Sequence, residues 1–286
     1  TLSSRCTCGA PATAVFGMGC FWCGEEALQK IPGVMCAESG YAGGELACPT
    51  YYSVVRGGTG HLEAVRVVYD DEMLTYDDLL RYFWHNVNPL QDDGQFCDSG
   101  VSYNSAIFYQ SPDQEEEALA SKAEFEAAMG WTALTEVRPV TTFYVAESNH
   151  QNYFLTSPTS YNRYKTLCRR VSTLKAVWGK DAYEEYNQNT IPVSPDAERC
   201  AQVGSADERV LVEECSSTGS STGGSTGTRG GSLTGGIGNT VNPLSDASAG
   251  EDSSITGGSD TSSSGIVSLS LLTFAFTSIT ASLCLA

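Results

Sequence analysis

The sequence predicts an α+β fold, a two-layer α/β sandwich built on a mixed sheet with a ferredoxin-like (split βαβ) core. Three observations lead there. Segments of strand and helix character alternate from residue 11 to about residue 190, which is the pattern of layered α/β architectures. The stretch "HLEAVRVVYD" alternates apolar and polar positions like a strand with one buried face. A chain of 286 residues, 41% of them hydrophobic, also has enough apolar material for a real core.

Taken in order, "TAVFGMG" reads as a short strand and Gly24 to Lys30 as a helix stopped by "IPG". "VMCAESGYAGG" runs extended into a glycine turn, and the strand around Leu62 to Val68 follows. Tyr76 to Val87 is expected as a helix, because Leu79, Leu80, Phe83 and Trp84 fall at helical spacing while Asp77 and Asp78 suit the positive end of its dipole. "SAIFYQ" is a strand, Asp113 to Met129 a long helix with an acidic face, and "TTFYVAES" a last strand. Shorter helices are expected at His150 to Leu155 and Thr173 to Trp178. These additional helices favour a split βαβ core over a long doubly wound sheet.

Composition then divides the chain. Residues 1–10 form an amino-terminal extension, 11–190 the folded domain, and 191–215 a further extension carrying Cys200 and Cys215. Residues 216–265 are rich in Ser, Thr and Gly, too poor in large apolar groups to offset chain entropy, and read as a solvated stalk. Residues 266–286 contain no charge and are long enough to cross a bilayer. A polar spacer and small residues precede this tail, which favours a signal for glycolipid (GPI) attachment over a tail-anchored transmembrane segment. The expectation is a protein of the secretory pathway, displayed at the cell surface and held to the membrane there. A net charge of -18 repels phosphate backbones, so nucleic acid is excluded as a partner.

Eleven cysteines leave at least one without an intrachain partner. Cys20 and Cys23 enclose Phe21 and Trp22 in "GCFWC". Cys20 falls where a strand passes into a helix, near free amide groups and the positive dipole end, a placement that stabilises a thiolate. Cys23 lies one turn on, so three readings stand side by side: a redox dithiol, a zinc site completed by Cys6 and Cys8, or one nucleophile with an aromatic wall. Bulky Phe21 and Trp22 in the loop argue against zinc, and no metal is expected.

The surrounding blocks decide among them. In order, "GCFWCGEE", "SGYAGGELACPTY", "GGTGHLEAVRVVYD", "FWHNVNP", "GQFCDSGVSYNSAIFY", "NHQNYF" and "RYKTLCRR" resemble the A-type peptide methionine sulfoxide reductases from about Val15 to Gly179. The resemblance implies thiol-dependent reduction of methionine-S-sulfoxide, free or in proteins, in repair after oxidative stress. It implies Cys20 as the nucleophile that becomes a sulfenic acid, Phe21 and Trp22 as the wall for the substrate methyl, and Glu63 as the general acid. A carboxyl does that work near neutrality only if burial raises its pKa. Tyr51 and Tyr103 match the phenols that bond the sulfoxide oxygen, and Asp98 the carboxylate organising the polar side. Cys168 matches the resolving cysteine, with Cys23 as the alternative and Cys97 behind it.

The resemblance further implies no bound cofactor and an external thioredoxin-like dithiol as reductant and partner; a monomer is expected. Where "Gln-Tyr-Arg-Ser" is common in the family, this chain has Ser102-Tyr103-Asn104-Ser105 and lacks the arginine. His61, His85 and His150 read as structural hydrogen-bonders. Cys20 and Cys23 share a turn, so strain is expected to disfavour a bond between them. At an oxidising cell surface, Cys6, Cys8, Cys200 and Cys215 are expected to form structural bridges. Two other functions remain at this point: a CxxC disulfide oxidoreductase using Cys20 and Cys23, and an inactive display domain on a stalk.

Overall fold

The structure, a computed structural model, describes residues 11–140, 142–188, 211–213 and 215. The stalk, the apolar tail, the amino-terminal extension and Cys6, Cys8 and Cys200 lie outside the described residues. Among the described residues, no helix is long and apolar enough to cross a membrane.

The core is the expected split βαβ unit. Strand β1 (Pro11–Met18) leads through helix α1 (Phe21–Gln29) to β2 (Val34–Ala42), and β3 (Leu62–Asp70) inserts between them, antiparallel to both. A short helix α2 (Tyr51–Val55) sits in the β2–β3 connection. Helix α3 (Tyr76–Trp84) then carries the chain onward to a small hairpin, β4 (Gly94–Gln95) with β5 (Asp98–Ser99), and to β6 (Ser105–Tyr109) beside β1. Helix α4 (Pro112–Met129) precedes β7 (Glu136–Pro139), which pairs parallel with β6, and β8 (Thr142–Val145) lies against β2. Helices α5 (Tyr153–Thr156), α6 (Pro158–Leu167), α7 (Arg170–Trp178) and α8 (Lys180–Gln188) follow. Strand β9 (Leu211–Glu213) joins the far edge parallel to β8, giving the sheet order β7-β6-β1-β3-β2-β8-β9.

Several expectations need correcting. The first helix begins at Phe21 rather than Gly24, so the FWC segment is helical and Cys20 is its cap. The third helix stops at Trp84, short of Val87. Strand β3 is buried along all nine residues rather than on one face, because it is the central strand with packing on both sides. Val65, Val67 and Tyr69 enter the main core with Phe16, Leu79, Leu80 and Phe83, whereas Leu62 and Ala64 join Phe108 and Phe143 on the opposite face. Strand β9 lies past residue 190, where the folded domain was expected to end, and a Cys48–Cys215 disulfide follows it directly. Cys36 is also disulfide-bonded.

Candidate active site

The site is assembled where β1 ends. Gly19 has φ +76°, and a Cβ there would stand 2.6 Å from the Cβ of Gln95, so the turn that delivers Cys20 requires glycine. Cys20 caps α1 without spending its side chain on the cap, which leaves the sulfur available. It is 6% exposed, so the sulfur is buried rather than on the surface.

Strand periodicity brings Glu63 to it. Odd-numbered residues of β3 face the helices, and Glu63 shares that face with Val65 and Val67. Its carboxylate accepts the Phe21 N–H at 2.9 Å, the first free amide of α1. Burial drives its pKa to about 8, against the lowering effect of that amide, with the nearby Asp98 and Cys23 pushing further upward. At neutral pH Glu63 therefore carries a proton, as a general acid must.

Tyr103 ends a 3-10 turn (Val101–Tyr103), and its hydroxyl lies within hydrogen-bonding reach of both Glu63 and Tyr51. Tyr51 is set by α2, whose Thr50–Ser53 capping box fixes the start of the helix, and its N–H donates to Glu147 at 2.9 Å. The other Glu147 oxygen accepts the Tyr41 hydroxyl at 2.8 Å, so β2 and α2 are tied together beneath the pocket. The expected acid and both expected phenols thus form one continuous polar edge.

The opposite edge is aromatic. The Phe21 ring lies 5.2 Å from His150 and 5.9 Å from Tyr41. Trp22 stacks on Tyr153 at 4.0 Å and meets Tyr164 edge-on at 5.9 Å. Burial lowers the His150 pKa, and the neutral ring accepts the Trp22 indole N–H at Nδ1, 3.2 Å away. His150 is therefore part of the wall and also fixes Trp22, more than a general structural role. Glu25, with no exposed surface, accepts Ser39 Oγ and Asn152 N–H at 2.9 Å each and holds α1 to β2 and the segment before α5.

The sulfur chemistry departs from expectation in two ways. Cys20 is not a ready thiolate: burial, the hydrogen bond and charge of Cys23, and the carboxyls of Glu63 and Asp98 all raise its pKa well above that of an ordinary thiol. Desolvation outweighs the dipole of a two-and-a-half-turn helix. Cys23 moves the other way, to about 7, because Cys20 hydrogen-bonds to it and Arg170, Tyr161 and Lys165 surround it, against the opposing effect of burial. Second, Cys168 is in a disulfide with Cys97 rather than open beside Cys20. Cys20 and Cys23 are the free cysteines among the described residues.

Cys97 occupies the exposed tip of the β4–β5 hairpin, anchored by Arg170 stacking 4.4 Å over Phe96. Cys168 is buried at the end of α6. Asp98 stands between this disulfide and the pocket, its carboxylate accepting the Tyr164 hydroxyl and lying 3.8 Å from Cys168 Sγ. The structure thus brings together Cys20, Phe21, Trp22, Cys23, Tyr51, Glu63, Asp98 and Tyr103, with Cys168 on the rim. Tyr164, Tyr153, Glu147 and Arg170 were missed, since isolated tyrosines and charges in a helical stretch give no signal of what they face.

A family model for peptide methionine sulfoxide reductase matches residues 12–182. The chain is 46% identical over 170 residues to the peptide methionine sulfoxide reductase MsrA 2 of Caulobacter vibrioides, covering 58% of this chain and 85% of that one. It is 43% identical over 143 residues to the peptide methionine sulfoxide reductase MsrA of Methanococcus maripaludis, covering 50% and 91%. Among solved structures, reduced Mxr1 from Saccharomyces cerevisiae aligns with a TM-score of 0.50 at 27% identity, covering 52% of this chain and 87% of that one.

Proposed function

Because the chain belongs to the peptide methionine sulfoxide reductase family and its chemistry is the thiol-dependent reduction of methionine sulfoxide, we propose that Cys20 is the nucleophile, Glu63 the general acid, and the S epimer of the sulfoxide the substrate. The observation that carries this reading is the buried, protonated Glu63 bonded to Phe21 N–H beside Cys20. Phe21 and Trp22 receive the substrate methyl, and Tyr51 and Tyr103 share the sulfoxide oxygen with Glu63. Glu63 gives its proton to that oxygen, which makes the sulfur electrophilic. Cys20 sulfur attacks that sulfur and gives up its thiol proton to Glu63; the substrate S–O bond then breaks as the OH group passes to Cys20, leaving a sulfenic acid and free methionine.

Regeneration passes outward. With all four thiols reduced, Cys168 attacks the Cys20 sulfenic acid, Cys97 then takes the disulfide, and a thioredoxin-like dithiol opens it. The Cys97–Cys168 bridge supports this reading, since it pairs a rim sulfur with one exposed to solvent.

The cell-surface assignment belongs to the same proposal. Structural cystines at Cys48–Cys215 and Cys36 support an oxidising compartment, and an uncharged run at 266–286 after a Ser/Thr/Gly-rich stalk supports lipid attachment there, with a transmembrane tail as the alternative. Release from membranes by a phosphatidylinositol-specific phospholipase tests the anchor; resistance points to a spanning tail. For the chemistry, dithiothreitol-driven turnover of methionine-S-sulfoxide should be lost in Cys20→Ser. Retention of turnover in that variant removes Cys20 from the mechanism.

A further inference from the structure

The disulfide at the hairpin tip becomes a set of metal ligands once it opens. Cys97, Asp98 and Cys168 bring two sulfurs and a carboxylate to within 4.8 Å of one another. Asp98 offers one oxygen to each sulfur, Oδ1 at 4.0 Å from Cys97 Sγ and Oδ2 at 3.8 Å from Cys168 Sγ. Ligand atoms on a tetrahedral zinc stand roughly 3.6–3.8 Å apart, given Zn–S bonds of about 2.3 Å and Zn–O bonds of about 2.1 Å. The Cα atoms of Cys97 and Cys168 are 4.9 Å apart, so after reduction the sulfurs reach that spacing by side-chain rotation alone. The argument against zinc from the sequence concerned Cys6, Cys8, Cys20 and Cys23, none of which takes part.

We propose that the reduced protein binds one zinc ion through Cys97 Sγ, Cys168 Sγ and an Asp98 oxygen, with the fourth position left to water. An external dithiol opens the disulfide first; then two Zn–S bonds form, two thiol protons go to solvent, and nothing is oxidised or reduced in the binding step. While the two sulfurs are bonded to each other they cannot serve as thiolate ligands, so the site exists in the reduced state alone. Zinc there also holds the Cys168 thiolate that attacks the Cys20 sulfenic acid in the proposed cycle, so regeneration stops until the ion is removed. The binding stands on the geometry of the three ligands; the block on regeneration rests on Cys168 being the resolver.

The surroundings suit that role. The Cys97 N–H points at Cys168 Sγ from 3.2 Å, and the Tyr164 hydroxyl donates to the Asp98 carboxylate, so outer groups already orient one sulfur and the oxygen ligand. Cys97 is exposed, which gives the ion a path in and leaves room for the water ligand. Two thiolates and a carboxylate around a divalent ion leave one negative charge. Arg170 lies close enough to act on the Asp98 charge and offsets it, held in place by the carbonyls of Met18 and Asn86. A net charge of -18 on the whole chain draws cations toward its surface.

The test uses the full chain, reduced with dithiothreitol and then freed of it without air, and zinc alone as the probe. Iodoacetamide labelling of each cysteine is mapped by mass spectrometry with and without the ion, and uptake is titrated against a chromophoric zinc indicator. The expected result is that zinc protects Cys97 and Cys168 together and that EDTA restores their labelling. Cys97→Ser should take up one ion fewer. Tyr164→Phe keeps all three ligands and should bind zinc roughly 10- to 100-fold more weakly. Equal labelling of Cys97 with and without zinc overturns the proposal, as does protection confined to other cysteines, and this wild-type footprint decides the matter even if a variant does not fold. Excess methionine-S-sulfoxide added to the reduced chain, with no further reductant, separates the two claims. Without zinc the chain should yield two equivalents of methionine, because Cys97–Cys168 closes and returns Cys20 to the thiol; with zinc it should yield one. Two equivalents from a chain whose Cys97 and Cys168 are protected overturn the block on regeneration and leave the zinc site standing.

Discussion

Glu63→Gln should make the protein both more stable and less active, with a pH signature that identifies the cause. In the unfolded chain this carboxyl titrates near 4.5, whereas burial moves it to about 8 in the folded protein. Between those values the folded state holds a proton that the unfolded state has released, so stability falls as pH rises through the interval. At ~1.4 kcal/mol per pH unit, keeping Glu63 neutral costs about 3 kcal/mol at pH 7. Glutamine keeps an oxygen for the Phe21 N–H and has nothing to ionise. Urea unfolding of both proteins from pH 4 to 9 should show near-equal stability at pH 4. The variant's advantage should then widen from about pH 4.5 and level off above about 8. Glu25, also raised, to about 7, is common to both proteins and cancels in the difference. A stability gap that does not change with pH would refute the claim that Glu63 is carried protonated.

Other outcomes follow from the same contacts. Sulfoxide reduction by Glu63→Gln should fall by roughly 10²-fold or more, and the fall in kcat/KM expected of wild type as pH rises through about 8 should be absent from the variant; an alkaline limb that persists unchanged assigns it to another group. Trp22→Ala removes the ring that stacks on Tyr153 and should raise KM about tenfold, the scale of one lost apolar contact with substrate, as steady-state kinetics would show. Replacing Cys48 and Cys215 together by serine should lower denaturant stability by about 2–4 kcal/mol and free β9, readable as lost hydrogen-exchange protection at Leu211–Glu213.

The residues that could be read from sequence were those whose chemistry is local. Helix α3 announced itself through Leu79, Leu80, Phe83 and Trp84, and the split βαβ order followed from alternating segments. Glu63, Tyr51 and Tyr103 were placed around Cys20 by the resemblance of the motif blocks to the reductase family, since periodicity alone reads Glu63 as a solvated charge, and the structure has them beside one another. What escaped depends on distant partners. Nothing around Leu211 distinguishes an edge strand until β8 is beside it and Cys215 meets Cys48. The helix-terminus argument for a Cys20 thiolate considered the dipole but not desolvation, which only the packed structure reveals. His150 and Tyr164 gain meaning from Trp22 and Asp98, 128 and 66 residues away.

The central claim is that one nucleophile, Cys20, works against an acid in an aromatic pocket, and that Cys20 and Cys23 are not a general disulfide-exchange pair. Dithiothreitol-driven turnover of the separated sulfoxide epimers, run beside insulin disulfide reduction, addresses it directly. The account predicts methionine from the S epimer alone, abolished by Cys20→Ser, with no acceleration of insulin reduction. Insulin reduction without sulfoxide turnover would contradict it.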